Sequence, residues 1–131
     1  MGIASVMHPE LHNRSLRVGP GWRVGIKEPV SEYCALVGGD RWAVELTMAE
    51  WQDFCGAVGQ IEKALAYLPE QLMDGETVTL EQQTESVLVV ATGELPGLEL
   101  YIQICGERNA EGYWPPEALL GLFDAVRQLR S

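Results

Sequence analysis

The longest segment with helical periodicity spans residues 47–68, and segments of alternating apolar residues lie on both sides of it. Thr47 is placed to cap this helix, and Glu50 completes a capping box three residues later. Pro69 ends the segment, because proline cannot continue a helix. The apolar positions share one face: Trp51, Phe54, Cys55, Val58, Ile61, Leu65 and Leu68. Another layer must cover such a face, and the flanking segments predict that this layer is a sheet.

Three strands are predicted before this helix. Residues 22–27 and 42–46 alternate apolar with polar or small side chains, as a strand with one buried face does. A second strand is predicted over residues 32–37, and the sequence Gly38-Gly39-Asp40 predicts a hairpin turn after it. We therefore expect a meander of three antiparallel strands that leads directly into the helix.

The same order recurs in the rest of the chain. Strands are predicted over residues 77–81, 87–91 and 98–105, followed by a loop over residues 106–114. Pro115 and Pro116 suit the first turn of a second helix. The apolar positions of that helix are Leu119, Leu122, Phe123, Val126 and Leu129.

The repeated strand-strand-strand-helix order predicts an α+β fold, with two curved antiparallel sheets packed with two helices. A chain of 131 residues suits one domain, which we place at residues 16–131, with halves at 16–73 and 74–131. Residues 1–15 are predicted to form a flexible arm. The arm holds both histidines, His8 and His12, and Pro9 argues against a helix that would present them together to a metal.

The charge of the chain disfavours partners that are polyanions. The formal net charge is −10, from nineteen acidic and nine basic residues. Such a field keeps a protein soluble and repels phosphate backbones. A site for a polyanion would have to lie in one of two groups of basic residues: Arg14, Arg17, Arg23, Lys27 and Arg41, or Arg108, Arg127 and Arg130. The candidates for binding single-stranded nucleic acid are Arg23 and Lys27 on one strand, with Arg41 at the start of a neighbouring strand.

No pattern of catalytic or metal-binding residues appears. No histidine lies in residues 16–131, and the three cysteines, Cys34, Cys55 and Cys105, form no Cys-x-x-Cys pair. We therefore predict a protein that is not an enzyme and has no metal or other cofactor. Reduced cysteines and the lack of a long apolar run predict a cytoplasmic protein that does not enter a membrane.

The segment before the second helix is the best candidate for a protein interface. It contains Arg108, Glu111, Tyr113 and Trp114, and aromatic and arginine side chains are typical anchors of interfaces. The alternative is that Tyr113 and Trp114 cap the second half of the core.

Three stretches resemble a small family of uncharacterised cyanobacterial proteins over roughly residues 16–130. They are LVGGDRWAVELTMAEW at 36–51, GPGWR at 19–23 and AEGYWP at 110–115. The resemblance implies the fold of the single-stranded-DNA-binding transcriptional regulators, which include the positive-cofactor-four coactivators and the plant whirly proteins. In those proteins a sheet also runs into a helix that opens with a leucine, an acidic or amide residue and a tryptophan, as in Leu46–Trp51.

The single-unit coactivators dimerise to complete their pair of sheets, so a doubled unit within one chain predicts a monomer. Charge and motifs together favour a non-enzymatic accessory or interaction module with an unidentified protein partner. The alternative, which the resemblance implies, is a regulator that binds single-stranded nucleic acid.

Overall fold

The structure is a computed structural model that describes residues 14–27, 32–68, 73 and 75–130. Its first sheet has the strand order β1-β2-β3-β4: β1 (Arg14–Gly19), β2 (Trp22–Lys27), β3 (Ala35–Gly38) and β4 (Ala43–Leu46). The second sheet has the order β5-β6-β7-β8: β5 (Thr77–Gln83), β6 (Val87–Glu94), β7 (Glu99–Ile104) and β8 (Glu111–Trp114). The helices are α1 (Met48–Tyr67) and α2 (Leu119–Leu129), and a short 3-10 helix (Pro116–Ala118) precedes α2.

This architecture confirms the predicted α+β fold with two antiparallel sheets and two helices, and it adds one strand to each half. Strand β1 begins at residue 14, so residues 14 and 15 belong to the first sheet and not to the arm. The rest of that arm, with His8 and His12, lies outside the described residues. Strand β8 occupies the end of the segment that was predicted to be a loop.

The start of α1 confirms the predicted capping box. The Thr47 hydroxyl accepts a hydrogen bond from the backbone N–H of Glu50 at 3.2 Å, and a Glu50 carboxylate oxygen accepts one from the N–H of Thr47 at 2.9 Å. Both N–H groups would otherwise lack a partner within the helix. The local sequence alone therefore fixes where α1 begins.

The two halves exchange their helices. Helix α1 follows the first sheet in sequence but packs on β5 and β6, whereas α2 follows the second sheet and packs on β1 and β2. The helices also contact each other. Because each helix covers the sheet of the other half, the apolar side chains join in one core that includes Val24, Phe54, Ile61, Leu100, Trp114 and Leu122.

Burial follows the predicted stripes. All five predicted apolar positions of α2 are buried, as are the first five of α1, while Leu65 and Leu68 are half-buried at its C-terminal end. No polar or charged side chain is buried among the described residues. The three cysteines are free thiols. No described helix is long and apolar enough to span a membrane.

Candidate protein-interaction surface on the second sheet

The outer face of the second sheet carries a row of side chains that runs across all four strands. Antiparallel pairing sets Glu81 opposite Val90, Val90 opposite Tyr101, and Tyr101 opposite Tyr113. Side chains alternate between the two faces of a strand, so these four point away from the core that their neighbours line. We call this outer side of the sheet the tyrosine face. A second row beside the first completes it: Gln83, Leu88, Gln103 and Glu111.

The tyrosine face is acidic. Four glutamates have outward positions on its strands, namely Glu81, Glu94, Glu99 and Glu111, and the sequences of β5 to β8 contain no lysine or arginine. The face therefore combines apolar and aromatic surface with charge of one sign.

Tyr101 links the aromatic side chains of the tyrosine face to one of its carboxylates. Its hydroxyl donates a hydrogen bond to a carboxylate oxygen of Glu111 at 2.9 Å. Partial burial raises the pKa of Tyr101, and the hydrogen bond to Glu111 and the negative charge of that residue raise it further. The phenol therefore keeps its proton at neutral pH and remains a donor, which leaves Glu111 with free acceptor sites for a partner.

The structure brings together only two of the four residues predicted to form the interface. Tyr113 and Glu111 both lie on the tyrosine face, and 59% of Tyr113 is exposed, a large fraction for an aromatic side chain. These two residues lie in one strand, two positions apart, and so share a face.

Trp114 is not part of this surface, which corrects its assignment as an interface residue. Its side chain is completely buried, and its indole N–H donates a hydrogen bond to the backbone carbonyl of Gly38 at 2.8 Å. Trp114 follows Tyr113 in β8 and therefore points to the opposite side of the sheet, into the core. The alternative, in which it caps the second half of the core, describes its position.

Arg108 also leaves the predicted cluster, because its side chain turns towards the first half of the chain. Its guanidinium forms an ion pair with Glu50 at 3.3 Å and donates to the backbone carbonyl of Glu45 at 2.7 Å. It also lies over the ring of Tyr33, 4.9 Å from the centroid. These contacts give Arg108 a structural role in which it fastens the loop after β7 to the start of α1.

The three basic candidates for nucleic-acid binding do not form an open cationic strip. Arg23 donates hydrogen bonds to the carbonyls of Gly39 and Trp42, at 3.1 and 3.0 Å, so its donors hold the hairpin between β3 and β4. Lys27 is half-buried at the other end of β2, about 13 Å away along the strand. Arg41 is exposed in the hairpin itself. Outward positions on the first sheet are aliphatic, small or charged, and no aromatic ring for base stacking lies among those described.

Tyr101 and Val90 were not predicted to be part of an interaction surface. Both residues were placed only within predicted strands, Val90 in residues 87–91 and Tyr101 in residues 98–105. The missing information was the pairing register, which sets these two residues beside Tyr113 although 23 positions separate Val90 from it.

A family described as "Domain of unknown function (DUF1818)" matches residues 17–129. A solved structure is also similar, that of a protein with unknown function described as from the DUF155 family of Prochlorococcus sp. NATL2A. It is 30% identical to this chain, covers 88% of this chain and 98% of its own length, and superposes with a TM-score of 0.82. No curated protein matches the chain. These findings confirm the resemblance to an uncharacterised cyanobacterial family, and neither description names an activity.

Proposed function

The chain belongs to the DUF1818 family, and we propose that it acts there as a non-enzymatic module that binds a basic segment of a partner protein through the tyrosine face. The observation that carries this proposal is the exposure of Tyr113, 59% accessible beside Tyr101 in a row of side chains that crosses the sheet.

Tyrosine is suited to this role. It offers a large rigid ring with a polar end, which is why tyrosine is enriched in protein interfaces and among the residues that dominate their binding energy. Val90 lies opposite Tyr101 and Leu88 is two positions from Val90 on the same strand; both are half-buried and extend the apolar area. A partner side chain laid across this row would exclude water from both rings at once.

The charge of the face defines the partner. Four outward glutamates without a neighbouring cation on these strands attract lysine and arginine and repel acidic surfaces. The partner segment should therefore alternate basic with apolar or aromatic side chains. Its association should weaken as salt concentration rises, because exposed charges are screened.

Site-specific photo-crosslinking tests this proposal. A photoreactive phenylalanine analogue at position 113 is compared with the same analogue at position 67, since Tyr67 is 71% exposed on α1, away from the tyrosine face. We expect one discrete adduct from position 113 that weakens with salt and is lost when Glu81 and Glu111 are replaced by lysine. Equal adducts from both positions, or none from position 113, would contradict the proposal.

Other features of the chain support a non-enzymatic, monomeric module. The Ser86 hydroxyl donates a hydrogen bond to Asp53 at 2.7 Å, and no histidine that could activate a nucleophile lies among the described residues. The exchange of helices closes the two units on each other within one chain, as a monomer requires.

We also propose that the chain shares the fold of the single-stranded-DNA-binding regulators, without sharing their function. Two antiparallel sheets, each followed by a helix, agree with what that resemblance implies. Nucleic-acid binding has less support, since Arg23 is used within the hairpin and the first sheet offers no described ring for stacking. Titration of a labelled single-stranded oligonucleotide by fluorescence anisotropy should show no binding at physiological salt, and sub-micromolar binding there would favour this alternative.

A further inference from the structure

The molecule also has a cleft that contains no residue of the tyrosine face. It has a volume of about 290 Å³ and lies where the end of β2, the first half of α1 and the end of α2 meet. Its lining combines buried apolar residues with two cations: Ile26, Lys27, Cys34, Met48, Trp51, Gln52, Cys55, Gly56, Leu129 and Arg130. We call it the basic cleft.

The floor of the basic cleft is apolar. Trp51, Cys55 and Leu129 are at most 8% exposed, and Met48, which is 40% exposed, lies at its rim. Burial raises the pKa of the Cys55 thiol to about 12, so this thiol keeps its proton at neutral pH. A volume of about 290 Å³ is close to the lower end of the range for small-molecule pockets.

The charges of the cleft among the described residues are both positive. Lys27 and Arg130 line it, no described carboxylate does, and neither residue forms an ion pair with a described acidic residue. The Arg130 guanidinium lies along α1, where its Nη1 atom is 3.0 Å from the position of a Cβ added to Gly59. Its positive charge also acts on Cys55, whose pKa it lowers against the larger effect of burial.

This arrangement is unusual in a chain with a net charge of −10. Two of its nine basic residues meet in one cleft without a described carboxylate beside them. An apolar floor with cations above it is complementary to a molecule with an apolar body and one negatively charged end.

We propose that the basic cleft binds a small organic carboxylate, whose hydrocarbon part contacts Trp51 and Leu129 and whose carboxylate is bound by Lys27 and Arg130. Arginine supplies a planar pair of donors that matches a carboxylate, and lysine supplies a mobile point charge. The cleft and the tyrosine face share no residue, so this site is independent of the proposed interaction with a protein partner.

Gly56 permits a direct test. It lines the cleft on α1, and a Cβ added there would have no atom within 4 Å. The Cβ itself is therefore accommodated, and we expect the ring of Gly56→Phe to occupy the cleft, whereas Gly56→Ala should leave it open. Both substitutions replace a glycine inside a helix, which favours helix formation, and thermal unfolding of each variant checks that it remains folded.

The experiment is a fluorescence titration of the full chain with 1-anilinonaphthalene-8-sulfonate, an apolar anion, followed by competition with octanoate and with octan-1-ol. We expect saturable binding of the dye, and displacement by octanoate at a concentration at least about tenfold below that of the uncharged alcohol. Gly56→Phe should abolish binding and Gly56→Ala should retain it. Lys27→Glu and Arg130→Glu should each remove the preference for octanoate, while Arg41→Glu, at an exposed position outside the cleft, should not.

Three results would overturn the proposal. They are absence of saturable binding by both dye and octanoate, equal displacement by octanoate and octan-1-ol, and equal binding by Gly56→Phe and Gly56→Ala. Thermal unfolding of each variant, followed by circular dichroism, shows that the folded protein is being titrated. Loss of crosslinking at position 113 with intact octanoate binding would reject the protein-binding proposal alone.

Discussion

Trp42 and Trp114 fasten the two halves of the molecule to each other by reciprocal hydrogen bonds. The indole N–H of Trp42 donates to the carbonyl of Tyr113 at 3.1 Å, and that of Trp114 donates to the carbonyl of Gly38 at 2.8 Å. Their rings are in contact, with centroids 4.9 Å apart and planes tilted by 55°. Each tryptophan therefore completes the hydrogen bonding of a strand end in the other half.

Replacing either tryptophan by phenylalanine should destabilise the protein, and to different degrees. Trp114→Phe leaves the Gly38 carbonyl without its partner at a buried site and should cost about 2 kcal/mol, whereas Trp42→Phe acts at a half-exposed site and should cost about 1 kcal/mol. Because the two rings touch, the double variant should depart from the sum of the single effects by about 0.5–1.5 kcal/mol. Urea denaturation measures all three values. As a control, Tyr67→Phe combined with Trp114→Phe should be additive, and additivity of the tryptophan pair as well would contradict the coupling.

Two glycines should respond to alanine in opposite directions. A Cβ on Gly112 would lie 2.6 Å from the Trp42 ring, so Gly112→Ala must displace that ring and should cost about 1–3 kcal/mol. A Cβ on Gly56 meets nothing within 4 Å, so Gly56→Ala should stabilise α1 by about 1 kcal/mol. Thermal and urea unfolding of the two variants check the signs. A Gly112→Ala variant that is more stable than the natural sequence would show that the packing of Trp42 on β8 does not contribute to stability.

The stability of the protein should fall at alkaline pH, in part because of Cys55. Burial raises the pKa of this thiol from 9.0 to about 12 in the folded protein, so the unfolded chain loses the proton first as the pH rises. The contribution of Cys55 is therefore complete below pH 9 and is lost between pH 9 and about 12. Urea denaturation at several pH values should give a shallower decline for Cys55→Ala than for the natural sequence, by up to about 1 kcal/mol per pH unit. If the unfolding free energies of the two proteins fell equally with pH, Cys55 would not contribute to the alkaline loss of stability.

Neither half of the chain should fold alone. Residues 1–73 lack the strands that cover α1, and residues 74–131 lack those that cover α2, because each helix packs on the sheet of the other half. Each fragment expressed separately should show no cooperative unfolding by circular dichroism, and a mixture of the two should regain it. A cooperative transition in either fragment by itself would show that the exchange of helices is dispensable for that half.

The sequence predicted those elements whose signals are local. The capping box at Thr47 and the apolar stripe of α1 depend on spacings within a few turns, and both are found as predicted. Strand β1 was not predicted because its apolar residues, Leu16 and Val18, point outwards and are 62% and 64% exposed. The alternation in β1 is therefore the reverse of that in a strand whose apolar residues face the core. Its place in the sheet depends on pairing with β2.

Strand β8 was missed for a related reason. It contains Gly112, and a glycine in a short segment between polar residues is typical of a turn. In the structure the glycine makes room for the Trp42 ring, a neighbour 70 positions away in the sequence. Long-range strand pairing brings the residues of the tyrosine face together. Long-range contacts also keep Arg108 and Trp114 away from that face, and such contacts cannot be predicted from local sequence patterns.

The exchange of helices also determines the order in which this polypeptide can fold during its synthesis. A ribosome delivers the first sheet and α1 before it delivers β5 and β6, so the apolar stripe of α1 has no sheet to cover it at that stage. The first sheet remains uncovered for longer still, since α2 is the last of the described elements to be made. Folding during synthesis therefore cannot finish one half before the other begins. Until α2 emerges, the nascent chain presents apolar surface of the kind that chaperones bind.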